Sequence, residues 1–408
     1  MVETSRKLVP LEGLRGIAAF VVVIYHLVLG FTAKGVGFVP HGHGALVLLT
    51  QFGLGLLNGG AAVTVFFVLS GFILSLPFAR DRRPARVLAA LLKRWPRLAG
   101  VTVIACLFAY ALILWSGHNY KAAAHISGAG WMASHGNSPI LHHHLSWAKA
   151  VRDGLIKVFT EGDVRFDSPL WTMRIELFGS FAIFVMAPAL FAIRSWVVRF
   201  ALVGLVMLSV GTSFPQTYFS DFLMGTVLAM LFAEGRLPVI PKGAALPLGG
   251  LALYLFSFTY EQNLLIHAPL KAALPPGDSA HFVWDAGAVL TIMLLLGNHG
   301  LRRAFSGLWA AWLGLLSFPI YLLHGPIMLS AGAGTLVGSA DTLGVAGGEI
   351  LAALVTIALT LLCALPLARL DLAWTKLLGL MTRPLLARGA QGAGRARRGA
   401  ARGWLTAD

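Results

Sequence analysis

Apolar runs of roughly 17 to 25 residues recur from one end of this chain to the other, the length that crosses a bilayer core of about 30 Å. Hydrocarbon offers backbone N–H and C=O groups no partner, so each run must satisfy its own by folding as a helix. Ten runs stand out, near residues 12–30, 60–78, 98–116, 169–193, 200–214, 219–233, 244–260, 282–298, 309–331 and 346–368, of which the fifth and sixth are short. A further apolar but glycine-rich segment at 44–58 reads as a re-entrant or interfacial piece, or as an eleventh span. The expected fold class is all-α, a polytopic membrane bundle of about ten transmembrane helices.

Composition agrees. Hydrophobic residues make up 57% of the chain and charged residues 12%, about half the charge of an average globular protein, which excludes a soluble domain of 408 residues. Of the 32 Lys and Arg residues, 23 fall on one side of the expected topology, seven of them in 79–97 and eight from Arg369 onward, so both termini are expected to be cytoplasmic. The net charge of +15 then reports topology and attraction to anionic lipid, and nucleic acid is not an expected partner. Cys106 and Cys363 both lie in apolar runs, which argues against a disulfide framework or a metal cluster. No small-residue cleavage site follows the first run, so it reads as a permanent span. Residues 1–370 are expected to form one transmembrane domain, and the basic stretch 371–408 a disordered cytoplasmic tail.

The ionisable residues inside the apolar runs carry the functional information. Arg15 and His26 share the first span, and eleven helical steps of 100° bring them within about 20° of one azimuth, roughly 16 Å apart along the axis. Charge in hydrocarbon is costly unless it faces protein or water, so the pair points to a polar cavity; the alternative is that Arg15 snorkels to the headgroups and His26 merely packs. Glu176, about seven residues into the fourth span, and His324, one turn after Tyr321 in the ninth, fall at a depth similar to that of His26. Ser70 and Gly71 sit near the middle of the second span, where small residues serve close approach or simple packing. At the inner edge Arg94 and Arg97 flank Trp95 and Pro96, a geometry suited to phosphate. Together these residues describe a path with cations at its cytoplasmic mouth and a base and an acid near its outer end.

The chain resembles the acyltransferase-3 family of integral-membrane O-acyltransferases. The likeness rests on R-x10-H at Arg15 and His26, FFVLSGF with Ser70, R-x-x-R at Arg94 and Arg97, S-P-L-W-x4-E from Ser168 to Glu176, F-x-x-G at Phe222 to Gly225, and FPIYLLHGP around His324. It departs after Trp171, where Thr172, Met173 and Arg174 follow, and Leu177 stands where a second acid is common. The resemblance implies a multi-pass protein of a bacterial inner membrane that takes an acyl group, acetyl foremost, from cytosolic acyl-CoA and passes it to a hydroxyl of an extracytoplasmic glycan or glycolipid. No permanently bound cofactor is implied; acyl-CoA is the donor substrate. Arg15, Arg94, Arg97 and Ser70 are expected to bind the donor. His26 is expected to act as general base with Glu176 orienting it. Tyr321, His324 and Trp171 are expected to hold the acceptor or the oxyanion. Some members carry a fused extracytoplasmic esterase-like domain that this chain lacks, which leaves room for a partner protein that completes the transfer.

The competing reading is a proton-coupled transporter or flippase, since buried His and Glu also relay protons. Neither an internal repeat nor a pair of broken helices is visible in the sequence. The histidines of 117–168, among them His142 to His144, lack Cys or Glu at metal-ligand spacing, so the stretch reads as a polar external loop that contacts the acceptor, and no metal site is expected.

Overall fold

The computed structural model describes residues 8–32, 53, 56–116, 119–136, 145–210, 217–258, 265–274 and 279–403. Among them every regular element is helical. The principal helices are α1 (Val9–Phe31), α2 (Gly59–Ser75), α3 (Pro84–Ser116), α4 (Asn119–Ser127), α5 (Gly130–Gly136), α6 (Trp147–Arg152), α7 (Trp171–Ala192), α8 (Trp196–Val210), α9 (Tyr218–Ala233), α10 (Lys242–Phe256), α11 (Ser279–Gly297), α12 (Leu308–Ile327) and α13 (Ala333–Gly403). Six segments are long and apolar enough to cross a membrane: Val9–Phe31, Gly59–Ala79, Pro84–Trp115, Ser168–Ala192, Ala280–Gly297 and Leu308–Leu386. The last of these bends at Gly344, whose φ of 71° a residue with a Cβ rarely adopts. Shorter apolar helices cover Trp196–Ser209, Tyr218–Ala233 and Lys242–Phe256.

Two helix pairs fix the frame, and both are set by glycines. A Cβ on Gly16 would lie 2.6 Å from the backbone of Leu313, and one on Gly314 2.8 Å from the Glu12 carbonyl oxygen. Further along, Gly30 lies against Met328. The offset between partners stays near 297 to 298 residues from Gly13 and Ala310 to Gly30 and Met328, so α1 and α12 run parallel and in register. Small residues at the seam allow this approach, because lipid supplies no hydrophobic force between helices and van der Waals contact must hold them. In the same way α9 runs parallel to α2, with Phe67 against Tyr218, Gly71 against Phe222 and Ser75 hydrogen-bonded to Thr226 at 2.8 Å. A Cβ at Gly225 would stand 2.0 Å from the Val68 carbonyl oxygen and 2.6 Å from the Phe72 nitrogen, both backbone atoms that cannot swing aside. Gly225→Ala is therefore expected to destabilise the protein by about 3 kcal/mol through overpacking, read as a lower melting temperature in detergent; an unchanged melting temperature would contradict this packing.

Three expectations are corrected. The third span, placed at 98–116, begins at Pro84, and the stretch read as a basic loop is mostly helix continuing through Pro96. Arg94 consequently lies inside the bundle, 8% exposed, instead of at the membrane edge. α13 continues past residue 370, where Trp374 donates to the Pro96 carbonyl at 2.8 Å and its ring packs on Gly100. The stretch 117–168 holds α4, α5 and α6, the last running through a π-turn at Asp153–Lys157 that packs Gly154 against Val103 of α3. The segment 44–58, apart from residues 53 and 56–58, and His142 to His144 lie outside the described residues.

Candidate active site

The register of α1 and α12 places His26 opposite His324, their Nδ1 and Nε2 atoms 2.7 Å apart and their rings stacked at 5.0 Å with 11° between planes. His324 Nδ1 faces the Ile320 carbonyl at 3.2 Å. A carbonyl only accepts, so Nδ1 of His324 carries the proton, and neutral His324 offers Nε2 as an acceptor. His26 then donates from Nδ1, which makes Nε2 its basic nitrogen. The Trp131 ring of α5 also lies against His26, 5.3 Å away with 20° between planes. The imidazole is thus held in plane and in one tautomer by neighbours on two elements.

The carboxylate expected beside His26 lies on another level. Glu176 Oε1 accepts from Ser70 Oγ at 2.9 Å and forms a short ion pair with Arg94, whose Nε donates to Ser180 Oγ at 2.8 Å. Thr172 adjoins Tyr321, and Glu176 is one turn further from it in one direction while His324 is nearly a turn away in the other. At 1.5 Å per residue the two levels are separated by roughly 10 Å. Glu176 therefore orients Arg94 and Ser70, and the hydrogen bond that orients His26 comes from His324. Arg15 is bound to the same helix as His26, as their shared azimuth requires: it donates to Ser317 Oγ and to the Gly314 carbonyl, each at 3.0 Å, and pairs with Glu12 at 2.7 Å.

Two cavities meet at the deeper level. One, of about 280 Å³, is lined by Arg86, Lys93, Arg94 and Arg97 together with Phe184 and Thr375. The other, of about 230 Å³, is lined by Arg15, Ser70, Arg94, Arg97, Glu176 and Tyr321 among apolar side chains. They share Ile73, Leu74, Arg94 and Arg97. Phe66 and Tyr321, whose rings meet edge-on at 5.7 Å, are among the residues that line the second; Tyr321 is in turn 6.0 Å from His324. Tyr321 donates to the Pro169 carbonyl at 3.3 Å. Among the described residues, neither of these two cavities is lined by His26, and Tyr321 stands between the second cavity and the imidazole pair. Trp171 faces α9, its ring 5.3 Å from Tyr218, and lines neither cavity.

Several residues at these sites escaped the sequence reading. Trp131 belongs to a stretch that looked like polar loop. Asp167, in the turn before α7, is 3% exposed, and among the described residues neither of its carboxyl oxygens has a hydrogen-bond partner. Burial pushes this carboxyl well above the usual carboxylate range. It sits over Gly325, where a Cβ would come 2.5 Å from Oδ1, so the residue after His324 must be glycine for the acid to occupy that place. A signal for it existed in sequence, an acid directly before the S-P-L-W stretch. Asp221, His281 and Asp285 form a further buried group, taken up below, although no metal site was expected.

The model of the acyltransferase domain family Acyl_transf_3 matches residues 9–369, which is most of the chain and includes His26, Arg94, Glu176 and His324. No curated protein matches the chain, and no solved structure does. Membrane-length apolar helices arranged around a partly polar interior, with a family match of this extent, lead to one conclusion: the chain belongs to the acyltransferase-3 family and is a multi-pass membrane acyltransferase.

Proposed function

We propose that this protein moves an acyl group, acetyl foremost, from cytosolic acyl-CoA to a hydroxyl of an extracytoplasmic glycan or glycolipid across a bacterial inner membrane. The observation that carries the reading is the pair of cavities that share Arg94 and Arg97, the first lined by cations and the second by Tyr321, one turn from the His26–His324 pair. Positive-inside placement of 79–97 puts the cationic end at the cytosol. There Arg86, Lys93 and Arg97 suit the phosphates of coenzyme A, since charge-assisted bonds to phosphate are strong and favour guanidinium. Arg94 is already paired with Glu176, and we assign both, with Ser70, to the amides of the extended arm that threads past them.

In the reaction His26 Nε2 takes the proton of the acceptor hydroxyl as its oxygen attacks the thioester carbonyl; the C–S bond breaks, and the leaving thiolate takes that proton back from the imidazolium. His324 accepts from His26 Nδ1 throughout, the orienting part that an acid plays in a triad. Asp167, whose carboxyl burial favours in the protonated form, and Tyr321 are our candidates for donors to the oxyanion.

The test is the purified protein in vesicles with labelled acetyl-CoA on the basic side and a glycan acceptor on the other. Acylated acceptor forming without a membrane gradient supports the reading; gradient-dependent uptake with no acylated product sinks it and favours a carrier. Arg97→Ala is expected to raise KM for acetyl-CoA roughly tenfold, the worth of a charged hydrogen bond, with kcat little changed.

A further inference from the structure

Apart from the imidazole pair, α9 and α11 bring three ionisable side chains into one enclosed spot. Asp221 is 0%, Asp285 1% and His281 5% exposed, and one ligand atom from each lies within 4.8 Å of the others. His281 Nε2 is 2.6 Å from Asp221 Oδ1, and Ser220 Oγ donates to Asp285 Oδ2 at 3.3 Å. Asp221 Oδ2 and Asp285 Oδ1 are shut off from solvent with no hydrogen-bond partner among the described residues. No Lys or Arg among them pairs with either carboxylate. Two carboxyl groups and an imidazole in a bundle interior require positive charge, as protons or as a metal ion.

We propose that Asp221, His281 and Asp285 bind a divalent transition-metal ion of the zinc class. One imidazole nitrogen with two carboxylates is a donor set for zinc, whereas calcium needs six to eight oxygens and magnesium a hydrated octahedron, for which an enclosed three-residue cluster has no room. Bonds of about 2.0 to 2.2 Å set ligand atoms roughly 3.4 Å apart, so small rotations draw the cluster onto the ion. Ser220 Oγ or a water completes four-coordination. The ion displaces the protons that the carboxyl and imidazole groups hold, and these leave to solvent. It ties α9 to α11 at the end of the bundle where Trp284 lies against Gly60 of α2, and Tyr218, edge-on to His281 at 4.5 Å, connects the cluster to Trp171 at the start of α7.

Protein equilibrated with micromolar zinc, then dialysed, is expected to hold one zinc per chain by elemental mass spectrometry. Asp221→Asn and Asp285→Asn should each fall to background, and a chelator should lower the melting temperature of the parent protein but not of Asp285→Asn. Cobalt in place of zinc should give the visible absorption of a low-coordinate N/O site, a measurement that needs no variant to fold. The His142→Ala, His143→Ala, His144→Ala protein should keep its zinc. A parent protein that stays metal-free and indifferent to chelator overturns the proposal in favour of protons shared within the cluster. So does zinc that departs with the histidine triplet yet remains in Asp285→Asn.

Discussion

Protein carrying His26→Ala is expected to fold, insert and lose acyl transfer by a factor of about 10³, within the range that removal of a positioned general base produces. His26 is only half-buried and its loss leaves an accepting nitrogen on His324, so the structural penalty is modest while the chemical one is not. His324→Ala should cost a similar factor by releasing His26 from its tautomer, and the double variant should be scarcely worse than either, because residues that act as a unit are not additive. His324→Gln keeps a carbonyl that can accept from Nδ1 and should recover part of the rate. The measurement is single-turnover transfer from labelled acetyl-CoA, with melting temperature as the control. Multiplicative losses in the double variant would show that the two imidazoles work independently, and full activity in His26→Ala would remove the mechanism.

Arg94→Leu is expected to have among the largest effects on stability, about 3 kcal/mol, because it leaves the largely enclosed Glu176, 14% exposed, without its ion-pair partner. Glu176→Leu should be comparably harmful, stranding a guanidinium that is 8% exposed. Joined as Arg94→Leu/Glu176→Leu, the two should restore much of the melting temperature, since an apolar pair of similar volume removes both desolvation penalties. Transfer should remain poor in the double variant, with KM for the donor raised, because the wall shared by the two cavities has lost its polar groups. A double variant as unstable as the single ones would show that the ion pair is not the term that matters; one with parental KM would take Arg94 and Glu176 out of donor binding.

How much was legible in the sequence depends on the range of the interaction involved. The ten-residue spacer between Arg15 and His26 predicted one azimuth, and both side chains do bond the same neighbour, α12. Helical periodicity is a property of the local chain, so that inference needed no partner. Which helix would be the partner was another matter. Glu176 and His26 were read as one layer because each was counted from its own span boundary, and an error of one or two turns at each boundary is enough to bring groups roughly 10 Å apart onto one level. Arg94 was read as a cation at the membrane edge because Pro96 and the basic run around it suggest a loop; tertiary contacts from Trp374 and Glu176 hold the helix through that proline.

The sequence by itself therefore determined the solvent, the helical class and the family, since apolar length, charge bias and ordered short motifs are all one-dimensional quantities. Only the tertiary structure decided that His26 faces His324, that Glu176 faces Arg94, and that Asp221, His281 and Asp285 converge. Those pairings follow from where the glycine seams of α1 with α12 and α2 with α9 let backbones touch, and the register of such a seam depends on the shapes of both helices at once.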